Sequence, residues 1–245
     1  MKKFLLGILG AILFITSWEL LVIIKQDASL VGVDRITKAF IEIVAKKEFY
    51  INLFSTLKIV FIGIAIATAC GIILAVIMDL SEGARYILTP LIEALRNIPS
   101  ITLFPILLVL YGIGDTARIF VIFWTAFPSV VISSDYGLKN IDVSVIEAAK
   151  IDGANAFEAM RSIKFPLALP EMLNGIKIGI GSGFVAIVVA EMLGASKGLG
   201  FMVLWATNSF KYDETYAYII VIALIGAVVN YIMSVVIKKY ERSLL

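Results

Sequence analysis

The 245-residue sequence is 60% hydrophobic and only 16% charged, with a mean hydropathy of +0.99. Soluble domains sit near half apolar and a quarter charged, so this composition excludes a soluble protein. A net charge of +2 is too small for a nucleic-acid surface. With no histidine and a single cysteine, Cys70 in an apolar run, disulfide frameworks and Cys/His metal sites are excluded as well.

A helix crosses a bilayer with roughly 20 apolar residues, which gives this chain room for about six crossings. The first is expected over residues 4–24. It is longer than the apolar core of a secretory signal, about 7–15 residues, and ends in Val22-Ile23-Ile24-Lys25 without a small-residue cleavage site. Residues 34–49 then mix charge with Ile36, Phe40, Ile43 and Val44 at helical spacing. That pattern fits an amphipathic helix at the membrane surface or a packed connector. Further crossings are expected over residues 57–78, 101–111, 117–132, 175–193 and 216–237. The third is short and flanked by Pro99, Gly112 and Gly114, with Pro105 inside; the fourth contains Pro128. Such breaks are tolerated in a membrane only where protein or a cavity re-satisfies the backbone, which fits a transport path better than an anchor. The whole reads as one domain over residues 1–245. Residues 1–56 form a first span and external amphipathic segment, and residues 57–245 the core spans, interrupted by a loop at about 134–172.

Two spans carry small residues at every fourth position: Gly63, Ala67, Gly71 and Ala75 in one, Gly175, Gly179 and Gly183 in the other. This spacing puts them on one helix face, where backbones can approach to van der Waals contact. Gly179-Ile180-Gly181-Ser182-Gly183 and the Gly194–Gly200 loop look like nucleotide loops only superficially. The first lies in an apolar helix, and the second lacks the Gly-Lys-Ser/Thr ending. ATP hydrolysis therefore belongs to another subunit. The ionisable residues of the spans, chiefly Glu19, Lys58, Asp79, Lys177 and Glu191, are scattered on different helices, unlike a membrane-embedded active site. Glu19 and Glu191 fall toward outer span ends, within reach of water, and are path or gate candidates together with Trp124. No arginine or lysine is expected at mid-membrane, which argues against a tight anion site within the chain.

The loop before the fifth span is the most informative stretch. Ser144 with Glu147, and Asn155 with Glu158, fit two capping boxes. Gly153 falls where a helix end needs a left-handed residue, and Phe165-Pro166 is expected to close the second helix. The result is a helix–turn–helix with small alanines exposed on its first arm, either a docking element or a mere connector.

The letters of this loop resemble a specific pattern. Glu147-Ala148-Ala149, three residues, Gly153, nine residues and Ile163-Lys164-Phe165-Pro166 are similar to the "EAA" loop of ABC-importer permeases, with Phe165 where leucine is usual. Asn97-Ile98-Pro99-Ser100 through Tyr111-Gly112-Ile113-Gly114, and Glu191-Met192-Leu193-Gly194 through Lys197-Gly198-Leu199-Gly200, resemble the branch handling nitrate, sulfonate, taurine and bicarbonate, which also includes importers of vitamin precursors. The resemblance implies an all-α integral membrane protein with the type I (MetI-like) importer fold, in a bacterial inner (plasma) membrane with both termini cytoplasmic. The basic residues bias weakly in that direction. It implies two permease chains, expected to be a homodimer, around a central path, with two ATPase subunits carrying ATP and Mg and an external substrate-binding protein. It assigns ATPase coupling to Glu147, Ala148, Ala149, Asp152, Gly153, Ala154, Phe157, Ile163 and Pro166. No catalytic residue, metal or cofactor is expected in this chain. The competing reading is a secondary transporter or channel, which inverted repeats would support; none are evident.

Overall fold

The computed structural model describes residues 2–244; side chains of residues 2–5, 8, 150 and 241–244, with the basic Lys2, Lys3, Lys150 and Arg242 among them, are outside the description. Among the described residues all regular structure is helical. In chain order the elements are α1 (Lys2–Lys25), α2 (Val33–Ala45), α3 (Lys47–Leu80), α4 (Glu82–Arg96), a 3-10 turn (Ser100–Leu103), α5 (Phe104–Tyr111), α6 (Asp115–Lys139), α7 (Val143–Ile151), α8 (Ala156–Ala159), a π-turn (Met160–Lys164), α9 (Phe165–Gly194), α10 (Leu199–Asn208) and α11 (Tyr212–Leu244).

Four helices among the described residues are long and apolar enough to cross a membrane: Lys47–Leu80, Asp115–Lys139, Ala156–Gly194 and Tyr212–Tyr240. The third expected span differs from its sequence reading. It is the second half of a pair, Glu82–Arg96 followed by Ser100–Tyr111, bent by 83° and counting as a fifth crossing if taken together. Pro99 disfavours helical geometry at Ile98 and breaks the pair there. The first half escaped hydropathy because Glu82, Arg85, Glu93 and Arg96 dilute its apolar face. Helix α1, with 24 residues, is about 36 Å long, enough for a further crossing of a hydrocarbon core of about 30 Å. Its described leucines and isoleucines are largely exposed, as on a lipid-facing helix.

Helices α3, α6 and α9 form the packed centre, and small residues set their spacing. A Cβ at Gly63 or Gly71 would stand 2.7 Å from Ile122 or Val130 of α6, and one at Gly175 2.7 Å from the Ser133 Cβ. At Gly179 it would stand 3.0 Å from the Ala126 Cβ, and at Gly183 3.2 Å from Ile122. Ala67 and Ala75 are fully buried. Both glycine faces therefore meet α6 of the same chain, where dispersion contacts replace the hydrophobic drive that lipid cannot supply.

The segment at 34–49 resolves as a packed connector: α2 buries Ile36, Ala39 and Ile43, and Ala39 and Ile43 share a cluster with Leu199, Met202, Tyr218 and Val221 of α10 and α11. Helix α10, apolar but too short to read as a span in the sequence, packs against both α9 and α11. The fifth span starts earlier than residue 175, because the helix runs unbroken from Ala156 to Gly194.

Candidate functional site

The 142–166 segment folds as two short helices around Gly153. Asp142, not Ser144, caps α7: its Oδ1 accepts the Ser144 N–H at 2.9 Å and its carbonyl accepts the Val145 N–H. The aspartate side chain reaches the amide two residues on, which sets the helix start one step ahead of the Ser144–Glu147 box. The same bond holds the Asp142 carboxyl below the usual carboxylate range. At the other end the Asp152 and Ala154 N–H groups bond the Ala148 and Ala149 carbonyls at 3.0 Å. This closure needs a left-handed residue, and Gly153 supplies it with φ +90. Asn155 and Glu158 form a reciprocal capping box opening α8.

Pro166 does not end the second arm. The chain widens into the π-turn, the Phe165 N–H bonds the Met160 carbonyl, and α9 begins with proline in its first turn. A proline there has no N–H to leave unpaired, and the wider turn absorbs its ring. The second arm is thus the start of a spanning helix, rigidly continuous with it.

Exposure sorts the loop residues. Glu147, Ala148, Asp152 and Gly153 face outward, Ala154, Ile163 and Pro166 are half-buried, and Ala149 is only 8% exposed. The expectation of two exposed alanines is therefore corrected to one; Ala149 faces inward on α7. The large outward groups are Ile151, 86% exposed, and Phe157, 71% exposed. Two bare apolar side chains stand at the turn of a capped hairpin, while Ala159 and Met160 anchor its base, Met160 packing with Ala75, Leu138, Ala168 and Met172.

Beneath the hairpin lies an ion-pair chain linking four elements. The Lys164 Nζ stands 2.7 Å from Asp79 of α3, Arg85 of α4 lies 3.6 Å from Asp79, and Arg85 bonds Asp135 of α6 at 2.9 and 3.1 Å. Sequence reasoning noted Asp79 alone; the partners come from elements distant in the chain.

The opposite end of the same three helices holds Glu191. It is 0% exposed, which overturns its expected contact with water. Thr56 Oγ1 donates to it at 2.8 Å, the Gly200 N–H at 2.9 Å, and the Arg118 guanidinium lies 3.8 Å away. Asn52 accepts the Gly198 N–H and Thr56 the Leu199 N–H, so the Gly194–Gly200 loop is stitched to α3. Gly198 has φ +127, and any Cβ there would overlap the Glu191 carboxylate. Arg118 also bonds Asp115 and the Lys197 carbonyl, and Lys58 pairs with Asp115 at 3.8 Å. Glu19 has a similar structural duty: its Oε1 accepts the Val33 N–H at 2.6 Å and anchors the start of α2. Both glutamates accept a backbone N–H, Glu191 from Gly200 and Glu19 from Val33.

Trp124 lines a cavity of about 280 Å³ with Arg96, Ser100, Thr125 and Ser182, at the break between α4 and α5. Its ring stacks on Phe120, and its Nε1 is buried without a partner among the described residues. Lys177 is placed differently from its sequence reading. With the span assumed to start at residue 175 it stood at an edge; with the helix running from Ala156 to Gly194 it lies near the middle. Its neighbours Gly175 and Gly179 pack on Ser129, Ser133 and Ala126, halfway along α6.

Residues 51–245 match the family described as "Binding-protein-dependent transport system inner membrane component". Among curated proteins, the taurine transport system permease protein TauC of Escherichia coli is 35% identical over 175 residues, 71% of this chain and 64% of that one, so this chain spans less than two thirds of that relative. A putative ABC transporter permease protein of Methanocaldococcus jannaschii is 31% identical over 98% of this chain and 92% of that one. The nitrate import permease protein NrtB of Leptolyngbya laminosa is 30% identical over 76% and 66%. Among solved structures, the inward-facing MetNI methionine ABC transporter superposes with a TM-score of 0.69 at 19% identity, covering 77% of this chain and 94% of that one. A bacterial alginate ABC transporter gives 0.67 at 16% identity, covering 95% and 91%. The latter two show the shared fold. Taken with the apolar spans and the bent helix pair, these matches place the chain in the binding-protein-dependent transport system inner membrane components, the permease subunits of ABC importers.

Proposed function

We propose that two copies of this chain enclose the path of an importer for a small anion of the taurine, sulfonate or nitrate kind, and that the 142–166 hairpin couples that path to two ATPase subunits. Bicarbonate belongs to the same chemical class, and a vitamin precursor is the alternative solute. In this reading the hairpin and both termini face the cytoplasm, a binding protein delivers solute from outside, and ATP with Mg is held by the ATPase. The chain itself catalyses nothing and carries no cofactor.

The observation that carries the reading is the hairpin itself. Ile151 and Phe157 stand bare on a doubly capped turn, and its second arm continues without interruption into the spanning helix Ala156–Gly194. Exposed apolar groups on so rigid a tip fit a groove on a partner, and continuity of the helix lets motion of the tip reach the centre of the membrane. Glu147, Ala148, Asp152 and Ala154 form its polar and small rim, with Ile163 and Pro166 at its root. The taurine and nitrate relatives support the anion class.

The test is Gly153→Trp in the full transporter. A non-glycine residue at φ +90 costs about 1 kcal/mol or more, and the indole obstructs the tip. Normal membrane abundance with loss of ATPase co-purification and of uptake is expected. Phe157→Asp, which alters an exposed side chain only, should do the same without touching the turn. Wild-type uptake by both variants would sink the coupling role.

A further inference from the structure

Helix α9 carries a lysine at a depth where a charge is costly and rarely idle. Roughly 20 Å of helix separates Lys177 from Lys164 at one end and from Glu191 at the other, and a four-carbon stem covers neither gap. Snorkelling to a headgroup is therefore out of reach. Nor does the chain supply a counter-ion: among the described residues Lys177 makes no ion pair and no hydrogen bond. Asp79 and Asp135 are taken up by Lys164 and Arg85, and Glu191 by Thr56, Gly200 and Arg118. Glu171, six residues earlier on the same helix, packs its Cβ on Gly137 of α6 and makes no ion pair among the described residues.

The lysine is half-buried and lines a cavity of about 280 Å³ between α9 and α11. Gly181 and Gly226 leave stretches of its wall bare, and Asn230 adds an exposed amide with no side-chain hydrogen bond of its own. A structural lysine in a membrane pairs with an acid or a carbonyl; this one presents three donors to a space large enough for a small oxyanion. Resting on the importer reading above, we propose that Lys177 is the fixed cation that binds the anionic solute midway along its path, with Asn230 as a neutral donor beside it. One ammonium without a second cation makes a transient station, and a solute that must leave again requires no more.

The test uses the complete transporter, with ATPase and binding protein, in proteoliposomes supplied with taurine, an alkanesulfonate, nitrate or bicarbonate. Lys177→Cys is made on a Cys70→Ala background and treated either with 2-bromoethylamine, whose S-aminoethyl product is an ammonium of lysine length, or with its neutral ethyl analogue, bromoethane. Untreated Lys177→Cys should lose at least tenfold of uptake while still hydrolysing ATP. Aminoethylation should restore uptake and ethylation should not, and Asn230→Leu should raise the half-saturating solute concentration severalfold. Undiminished uptake by Lys177→Cys overturns the proposal, as does equal rescue by the neutral reagent, which would assign the side chain to packing. Loss of the protein from the membrane in Lys177→Cys but not Lys177→Arg would assign the charge to assembly and overturn it too. A Cys70→Ala control in which none of taurine, an alkanesulfonate, nitrate or bicarbonate is imported refutes the importer reading instead.

Discussion

The two ends of the α3–α6–α9 trio hold their charges in opposite ways. At one end Glu191 is sealed from solvent, and its oxygens are met by Thr56, the Gly200 amide and, more distantly, Arg118. At the other end Asp79, Arg85, Asp135 and Lys164 form a chain in which Asp79 has two cations and Arg85 two carboxylates, all but Asp79 partly open to water. In the sealed knot the Thr56 hydroxyl and the Gly200 N–H have no acceptor besides Glu191, so losing it strands both in low dielectric. A hydrated chain with duplicated contacts exchanges partners at small cost. The first arrangement suits a strut. The second suits a joint, and it sits where the hairpin meets the spans.

Three substitutions sharpen or break this contrast. The largest effect is expected for Glu191→Ala, which leaves the Thr56 hydroxyl and the Gly200 N–H buried without an acceptor, at about 1–3 kcal/mol each, while Arg118 keeps Asp115 and the Lys197 carbonyl. Thermal unfolding of the detergent-solubilised protein reads it, and an unchanged midpoint would remove the strut. Next is Gly179→Leu, which forces a side chain into the space that Ala126 occupies 3.0 Å away. Overpacking of this kind costs about 1–3 kcal/mol; a variant that assembles and transports normally would show that α6 and α9 need no close approach there. The smallest change in stability is expected for Lys164→Met. Arg85 stays beside Asp79, so the loss is about 1 kcal/mol, yet ATP hydrolysis should lose its dependence on the binding protein. A midpoint shift as large as that of Glu191→Ala would end the distinction between joint and strut.

Much of this was legible in the residues. Runs of apolar side chains located the main crossings, four-residue spacing picked out the faces that meet α6, and Asn155 with Glu158 announced its own cap. Each of these signals is local, spanning a helix turn or a bilayer's thickness. The errors were local as well. Ser144 and Asp142 both offer a capping oxygen, and only the backbone path chooses between them. Pro166 reads as a stop because a proline that opens a turn of helix just past a π-turn looks the same in sequence. Helix α4 was missed because the charges on its polar face lower its average below that of a span.

The sequence by itself determined that this chain lives in a bilayer and that it carries a glycine-hinged hairpin. Composition and spacing fix those properties through forces acting within one turn or one span. Only the tertiary structure decided that Glu191 is sealed rather than wet, that Ala149 faces inward while Ile151 and Phe157 stand bare, and that Lys177, midway along its helix, has no ion pair among the described residues. Burial and charge compensation are set by neighbours tens to more than a hundred residues away in the chain. The stitching of Glu191 to Thr56 and of Lys164 to Asp79 exists only once α3, α6 and α9 have closed on one another.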